Sequence, residues 1–479
     1  MPTIPSSDPV QTGTATNYRK PFLTITFLFF MWGFITVMND VLIPHLKEVF
    51  ELSYFQAALI QFAFFGAFFI ISLLYFIVSV SKGDPISKIG YKNGIIIGLL
   101  LCGLGCCLFY PATIFQRYGI FLSALFVLAS GVTILQIAAN PYAAILGKPE
   151  TASSRLNLAQ GFNSFGATLA PLIGALLLYK VFSNGEITVE SLKIPYLIYG
   201  GLFFVLALII KTIKLPSFKN TETLEKGLHV LKFRHVILGM IAIFVYVGGE
   251  VTIGSFLINF FKLDNIAGMS ESQGGVFLSY YWGGAMIGRF LGSIAMGSMT
   301  DKIQKYTLMA GLSILSFLVI YVITGVQNND GVFSLELIPF AQIQFFLFFL
   351  VINYLAFMVG GSRPSRILTL FASIVIILLA IMIMADGTVA FWSAIAIGAF
   401  NSILWSNIFT LAIKDLGKYT SQASSLLVMM IVGGAIVPII QGAVADEIGI
   451  QLSFIVPIIC YGYLIFYGLS GYQVKPIKE

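Results

Sequence analysis

The sequence predicts an all-α integral membrane protein built from two related halves. Three observations support this fold class: the composition, the number of long apolar runs, and a repeated spacing of two residue pairs. Of the 479 residues, 58% are hydrophobic and 10% are charged, whereas soluble domains are about 25% charged. A chain with so little charge lacks the polar surface that a soluble enzyme of this length needs. We therefore expect it to fold in a bilayer.

Apolar stretches of about 20 residues, bounded by charge or by Gly and Pro, predict the membrane spans. Six precede a charged segment at 211–235 and eight follow it, which makes fourteen in total. The predicted spans are 22–43, 55–80, 93–112, 119–146, 156–180, 194–213, 236–261, 273–299, 306–325, 338–361, 367–385, 390–413, 420–444 and 451–471.

The basic residues predict how the chain is oriented in the membrane. Fourteen spans place both termini on the same side, and cytoplasmic segments are normally rich in Lys and Arg. With both termini in the cytoplasm of a plasma (inner) membrane, few of the 27 basic residues lie outside, and the net charge of +6 reflects topology rather than nucleic-acid binding. The five outside are Lys47, Arg117, Lys180, Lys193 and Lys262.

Two acidic residues lie within predicted spans rather than at their ends. Asp40 follows Asn39 in MWGFITVMNDVLIP, and Glu250 lies deep in the seventh span in YVGGEVTIGSF. A charge at the centre of a membrane helix costs roughly 2.5–3.5 kcal/mol, so such residues usually face a cavity or a partner. Pro44 has no N–H for the Asp40 carbonyl, which adds a free backbone group beside the acid. The alternative for Asp40 is a solvated acid at the outer end of its helix.

Two residue pairs share one spacing and predict an internal repeat. Asn140 in AANPYAAIL and Asn407 in WSNIFTLAI are 267 residues apart, and so are Pro171 and Pro438. Matching polar or proline-interrupted segments in two halves are typical of transporter binding sites. The repeat accounts for twelve spans and leaves a pair, 306–325 and 338–361, as an insertion.

Amide and aromatic side chains on these spans suit a polar solute that both donates and accepts hydrogen bonds. Gln160 and Asn163 share one helix face, as do Asn401 and Trp405. The alternative for Asn163 and Asn407 is a structural role, since such residues often join membrane helices to one another.

Several motifs together resemble the fucose/glucose/galactose:cation symporters of the major facilitator superfamily. They are WGFITVMNDVLIP, LQIAANPYAAILG, SSRLNLAQGFNSFG, YVGGEVTIGSFL and SSLLVMMIVGGAIVP. The resemblance covers the chain from Phe22 to about Gly471, except for the inserted pair, and is strongest for the glucose/galactose branch. It implies the major facilitator fold: two six-helix bundles around a central cavity, here with two extra helices.

The resemblance also implies roles for individual residues. Asp40 matches an acid implicated in proton coupling, and Gln160 and Asn163 match polar residues where the sugar binds. Gln136 stands where the fucose permease has a glutamate, so Glu250 becomes the candidate for a second coupling acid. Ser87, in SKIGYKNG, stands where the superfamily's inner loop usually has an aspartate.

The predicted domains follow from the spans and the resemblance. Residues 1–21 form a disordered cytoplasmic tail, 22–214 the first bundle, 215–233 a cytoplasmic linker, 234–471 the second bundle with its insertion at about 300–361, and 472–479 a cytoplasmic tail. The predicted coupling residues are Asp40 and Glu250. The predicted sugar-binding residues are Asn39, Gln136, Asn140, Gln160, Asn163, Asn259, Asn401, Trp405 and Asn407.

The predicted function is import of a monosaccharide, such as glucose or galactose, with fucose or an amino sugar as further candidates. Uptake would be coupled to H⁺ or Na⁺ in a monomeric secondary transporter that works by alternating access. Glycine pairs in GAMIGRFLG and GIIIG predict close helix packing, and the four cysteines form no metal or disulfide pattern. We expect no cofactor, no metal and no enzymatic activity. The alternatives are a carrier of another polar solute or a drug, a channel, and a membrane enzyme.

Overall fold

The computed structural model describes residues 19–51, 54–175, 189–216, 227–329 and 332–475. Within these ranges the chain forms fourteen long helical segments, one for each predicted span. Twelve of them are both long and apolar enough to cross a membrane. The other two, α6 and α9, are long enough but less apolar. The chain is therefore a multi-pass integral membrane protein. The two more polar helices, α6 and α9, are candidates to line a polar site.

The described residues of the first half form seven α-helices, of which the third is a short helix in a loop. Its elements are α1 (Arg19–Val49), α2 (Tyr54–Lys82), α3 (Pro85–Ile89), α4 (Tyr91–Phe115), α5 (Tyr118–Ile145), α6 (Ala152–Ala175) and α7 (Lys193–Thr212). The proposed N-terminal tail lies outside the described residues up to position 18, as do residues 217–226 of the proposed linker.

The described residues of the second half form eight long helical segments, three of which are interrupted. It contains α8 (Arg234–Phe261), α9 (Glu271–Ala295), α10 (Lys302–Thr324), α11 (Phe340–Gly360), α12 (Pro364–Met384), α13 (Gly387–Asn401), α14 (Leu404–Ala412), α15 (Thr420–Met429), α16 (Gly433–Ile448), α17 (Ile450–Ser453) and α18 (Ile455–Phe466). Residues 476–479 of the proposed C-terminal tail lie outside the described part of the chain.

Local sequence signals explain where several of these helices begin and end. Ser270 starts α9 with a capping box, in which its hydroxyl accepts from the Gln273 N–H and the Gln273 side chain accepts from the Ser270 N–H. Asp301 caps α10 in the same position. Gly449, at a φ of +86°, turns the chain between α16 and α17, a conformation that favours glycine.

Glycines bring the central helices of each half into close contact. A Cβ on Gly166 of α6 would lie 2.2 Å from the Phe30 carbonyl oxygen of α1, and one on Gly433 of α16 would lie 2.0 Å from the Phe244 carbonyl oxygen of α8. Gly166 and Gly433 are 267 residues apart, the same spacing as the two pairs found in the sequence. The two halves thus repeat a packing contact as well as a sequence spacing.

The proposed inserted pair corresponds to α10 and α11, which pack against α9 and α13. Asn353 of α11 donates from Nδ2 to the Ala399 carbonyl of α13 at 2.9 Å. A β-hairpin, β1 (Val326–Asn329) and β2 (Val332–Leu335), joins the two helices with Val326 opposite Leu335. The pattern of apolar runs in the sequence did not predict this hairpin.

Hydrogen bonds between the two halves cluster on the side where the α2–α4 and α5–α6 loops lie. The Ser153 and Thr410 hydroxyls are 2.6 Å apart, and the Ser154 hydroxyl donates to the Ser293 carbonyl at 2.5 Å. The Asn157 amide donates to Asn407 Oδ1 at 3.3 Å. These bonds close the interface between the halves on that side.

Candidate substrate cavity

A cavity of about 240 Å³ lies between the two halves. The hydrogen bonds of Ser153, Ser154 and Asn157 with the second half close the interface on one side of it. Side chains from both halves line it, and they combine amides, hydroxyls, aromatic rings and one pair of opposite charges. In the first half these residues are Trp32, Gly33, Thr36, Val37, Phe68, Gln136, Gln160, Asn163 and Ala167, and in the second half Val247, Glu250, Arg289, Trp405, Ser406 and Ile431.

The first half contributes three amide side chains, all predicted from the sequence. Gln160 donates from Nε2 to Asn140 Oδ1 at 3.3 Å, and Asn163 donates from Nδ2 to the Phe29 carbonyl at 3.1 Å. Gln136 is buried and has no hydrogen-bond partner among the described residues. An amide side chain can both donate and accept hydrogen bonds, as binding of a hydroxylated solute requires.

The second half contributes the charged pair. Arg289 Nη2 of α9 lies 3.9 Å from Glu250 Oε1 of α8, and the two side chains are 16% and 12% exposed. Glu250 Oε1 is buried and accepts no hydrogen bond in the described structure. At 3.9 Å the pair attracts electrostatically without a direct hydrogen bond, which leaves that carboxylate oxygen free to bind a proton, a metal cation or a hydroxyl.

A break between α13 and α14 helps to hold Arg289. The Ser402 carbonyl lies in this break and accepts from Arg289 Nε at 3.0 Å. Close packing of the two elements makes the contact possible, because a Cβ on Gly288 would lie 2.2 Å from Ser402 Oγ. The glycines of GAMIGRFLG thus pack α9 tightly against a neighbour, as the sequence predicted.

Sequence reasoning missed Arg289 as a site residue and counted it only among the basic residues that set orientation. A signal was present, because an ionisable residue within a span usually faces the bundle interior and has a partner. The composition of α9 also indicated a site, since that helix is less apolar than the helices that qualify as membrane spans.

Two tryptophans provide aromatic surface, one from each half. Trp405 stacks on Phe409 with a centroid distance of 5.0 Å and an interplanar angle of 16°. Trp32 of α1 packs against Phe29 at 5.0 Å. Because both rings are held by a neighbouring aromatic residue, they can present a rigid apolar face to a ligand.

The structure does not bring four of the predicted sugar-binding residues to the cavity wall. Asn140 lies one layer behind it, where it accepts from Gln160. Asn401 is fully buried, donates to Tyr281 Oη at 2.9 Å and accepts from Tyr461 Oη at 2.5 Å. It therefore joins helices of the second half.

The other two of these residues have different surroundings. Asn407 accepts from Asn157 and donates to the Pro364 carbonyl at 3.4 Å, which matches the structural alternative weighed from the sequence. Asn259 is exposed near the end of α8. The backbone of α1 continues through Pro44 to Val49, and the side chains of Asn39 and Asp40 lie outside the described part of the structure.

The loop after α2 retains a buried acid, three residues before the position where the superfamily motif has its aspartate. Asp84 caps α3 and accepts from Tyr75 Oη at 2.5 Å, from Ser79 Oγ at 3.1 Å and from the Ser87 N–H at 2.8 Å. Ser421 of the second half also donates to it, at 2.8 Å. The acid thus contributes to the closed side of the interface.

Two halves of membrane helices that enclose a small cavity, closed on one side and lined by amide and charged groups among apolar side chains, define a solute carrier. The chain belongs to the major facilitator superfamily, whose sequence model matches residues 23–365. It is 44% identical over 475 residues to a glucose/galactose transporter of Brucella abortus biovar 1 (strain 9-941), covering 98% of each chain.

Solved structures agree with this assignment. The crystal structure of the Escherichia coli fucose:proton symporter FucP matches with a TM-score of 0.73 and 28% identity, covering 96% of this chain and 100% of that one. A structure of FucP in the outward conformation matches with the same TM-score at 29% identity, covering 95% and 100%. The predicted major facilitator fold is therefore confirmed.

Proposed function

We propose that this protein imports a monosaccharide by cation symport through alternating access. The observation that carries the proposal is the cavity between the halves, where amide side chains of the first half and a carboxylate–guanidinium pair of the second half line the same space. Similarity to a glucose/galactose transporter and to a fucose:proton symporter supports a hexose such as glucose or galactose, with fucose or an amino sugar as further candidates.

The size and chemistry of the cavity favour a sugar over the alternative of a drug. Pockets for drug-sized ligands measure roughly 300–1,000 Å³, whereas this one measures about 240 Å³. Gln136, Gln160 and Asn163 offer both donors and acceptors to hydroxyl groups, and Trp405 offers an apolar face. A small solute with many hydroxyls and one apolar surface satisfies all of these groups.

Coupling requires a group that can change its charge in response to the cation. Glu250 is such a group, because its Oε1 faces Arg289 without a hydrogen bond of its own. Asp40 is the second, on the strength of its motif. A proton or Na⁺ bound at either acid would change the net charge inside the cavity when the halves close around the sugar. Binding of the ion and binding of the sugar would then depend on the same conformational equilibrium.

With the termini in the cytoplasm of the plasma (inner) membrane, the closed side of the interface is the cytoplasmic one and the cavity faces outward. The similarity to FucP in its outward conformation supports this orientation. We propose that a monomer is the transporting unit, because each chain has its own cavity between its own halves.

Uptake into proteoliposomes tests the function directly. Radiolabelled glucose, galactose and fucose are offered with an inward proton gradient, an inward Na⁺ gradient, or neither, at a clamped membrane potential. We expect one gradient to drive accumulation of at least one sugar above the external concentration. Uptake that only equilibrates under both gradients would make the protein a uniporter, and no uptake of any of the three sugars would favour another polar solute.

A further inference from the structure

The guanidinium of Arg289 touches three separate elements of the protein. Nε donates to the Ser402 carbonyl in the α13–α14 break at 3.0 Å, and Nη2 faces Glu250 of α8. Nη1 donates to the Ser164 hydroxyl of α6, which belongs to the opposite half. One side chain thus links the candidate coupling acid to the interface between the halves.

The Ser164 hydroxyl is well placed for this contact. It donates its own proton to the Gln160 carbonyl at 3.1 Å, so its oxygen is oriented to accept from Arg289. Ser164 does not line the cavity, whereas Gln160, one turn earlier on α6, does. A substitution at Ser164 can therefore remove the hydrogen bond between Arg289 and the first half without removing a side chain from the cavity wall.

Glu250 and Arg289 are the charged groups of this region in the described structure. The other titratable side chains around Glu250 in the described structure are tyrosines, Tyr246 of α8, Tyr281 of α9 and Tyr461 of α18. Tyrosine hydroxyls are neutral at physiological pH. A cation that neutralises Glu250 would therefore act chiefly on its attraction for Arg289.

We infer that Arg289 is a positioning residue that transmits the charge state of Glu250 to the interface between the halves. This inference rests on the proposed function. While Glu250 is charged, it and Ser402 hold the guanidinium where Nη1 reaches Ser164, and the interface stays closed on the cytoplasmic side. When a cation neutralises Glu250, one of the three attachments weakens, the guanidinium can move, and its bond across the interface is released.

This arrangement would limit slippage, which is the transport of sugar without the coupled cation. A symporter must not carry sugar inward without its cation, so the state without a cation must resist opening to the cytoplasm. The bond from Arg289 to Ser164 provides that resistance in this protein. Its loss should let sugar pass without the cation while leaving sugar affinity nearly unchanged.

The test compares two serine substitutions on the same helix. Ser164→Ala removes the acceptor for Arg289, whereas Ser154→Ala removes another hydrogen bond between α6 and α9, that to the Ser293 carbonyl, without touching Arg289. Sugar accumulation and cation-free sugar flux are measured in proteoliposomes for both variants and the wild type. We expect Ser164→Ala to lower the accumulation ratio at least threefold and to raise cation-free flux, with less than a twofold change in sugar KM. Ser154→Ala should keep the wild-type ratio.

Arg289→Lys provides a second variant in which the positive charge stays but the planar fork is lost. We expect it to reproduce the slippage of Ser164→Ala. Equal slippage in Ser154→Ala and Ser164→Ala would overturn the inference, because a general weakening of the interface would then suffice. Wild-type coupling in both Ser164→Ala and Arg289→Lys would also overturn it. A wild-type protein that shows no cation-driven accumulation would instead contradict the proposed function.

Discussion

Arg289 and Glu250 face each other in the central cavity, with Nη2 of one 3.9 Å from Oε1 of the other. Two opposite charges on neighbouring helices of one half compensate each other inside a membrane, where either alone would be costly. The pair is also only partly hydrogen-bonded, since Glu250 Oε1 accepts no hydrogen bond from any residue that the structure describes. The attraction between the two charges stabilises the pair in the fold, and Glu250 Oε1 remains available to bind a ligand.

Glu250→Gln tests the coupling role of this acid. The amide keeps the shape and hydrogen-bonding capacity of the side chain but cannot carry charge, and it leaves Arg289 without its counter-ion. We expect cation-driven sugar accumulation to be lost, because a side chain that cannot change its charge cannot link cation binding to the movement of the halves. Sugar affinity measured against pH and Na⁺ concentration should lose its cation dependence. Glu447→Gln, at an exposed acid of α16, is the matched control. An unchanged profile in Glu250→Gln would assign coupling to Asp40 alone.

Asp40→Asn tests the acid that the sequence motif singled out. We expect this variant to lose concentrative uptake while it retains sugar binding and exchange of internal for external sugar. The reason is that exchange requires the halves to move only with sugar bound, whereas net uptake requires a charge that cycles. Counterflow and gradient-driven uptake are measured on the same proteoliposomes. Full accumulation by Asp40→Asn would refute its role.

Gln136→Glu tests the position where this chain differs from the fucose permease. Gln136 lines the cavity and has no hydrogen-bond partner among the described residues, so we interpret it as a hydrogen-bond partner of the sugar without a part in coupling. The substitution keeps an acceptor and adds a group that exchanges a proton. We expect sugar binding to be retained and the pH profile of uptake to change. Gln136→Ala should weaken sugar binding roughly 2- to 12-fold, as expected for the loss of one neutral hydrogen bond. Unaltered sugar affinity in Gln136→Ala would place the sugar elsewhere in the cavity.

Gly288→Ala tests the close approach that positions Arg289. The added Cβ would lie 2.2 Å from Ser402 Oγ and 2.8 Å from the Ala399 carbonyl oxygen. We expect a destabilisation of about 1–3 kcal/mol, typical of overpacking, seen as a lower melting temperature in detergent. Gly311→Ala in α10 is the control, because a Cβ there meets nothing within 4 Å. Equal melting temperatures for both variants would mean that α9 and the α13–α14 break are less tightly packed than described.

Asn353→Ala tests the proposal that the inserted pair supports the fold without binding sugar. Asn353 is fully buried in α11 and donates to the Ala399 carbonyl, and no described residue of α10 or α11 lines the cavity. We expect thermal stability to fall by about 0.5–1.5 kcal/mol for the loss of one hydrogen bond, because the Ser402 hydroxyl still donates to the same carbonyl at 2.7 Å, and we expect an unchanged sugar KM. A changed KM with unchanged stability would mean that the pair acts on the site.

The sequence by itself determined the solvent in which the chain folds, the number of long helices and the repeat between its halves. These are properties of local composition and spacing: a run of about 20 apolar residues can bury its backbone polar groups in lipid only as a helix. Fourteen predicted spans correspond to fourteen helical segments for this reason. The amides Gln160 and Asn163 were likewise predicted correctly to share a helix face.

Only the tertiary structure decided which polar side chains reach the cavity, because the rotation of a helix about its axis is set by its neighbours. Gly33 lies against the Asn163 carbonyl so closely that a Cβ would be 2.0 Å away, and this contact orients α1 and α6 relative to each other. Asn401 is turned instead into a cluster of tyrosines, although it shares a face with Trp405 in the pattern of an unbroken helix. The break between α13 and α14 removes that shared face, and its free carbonyl helps to hold Arg289 beside Glu250.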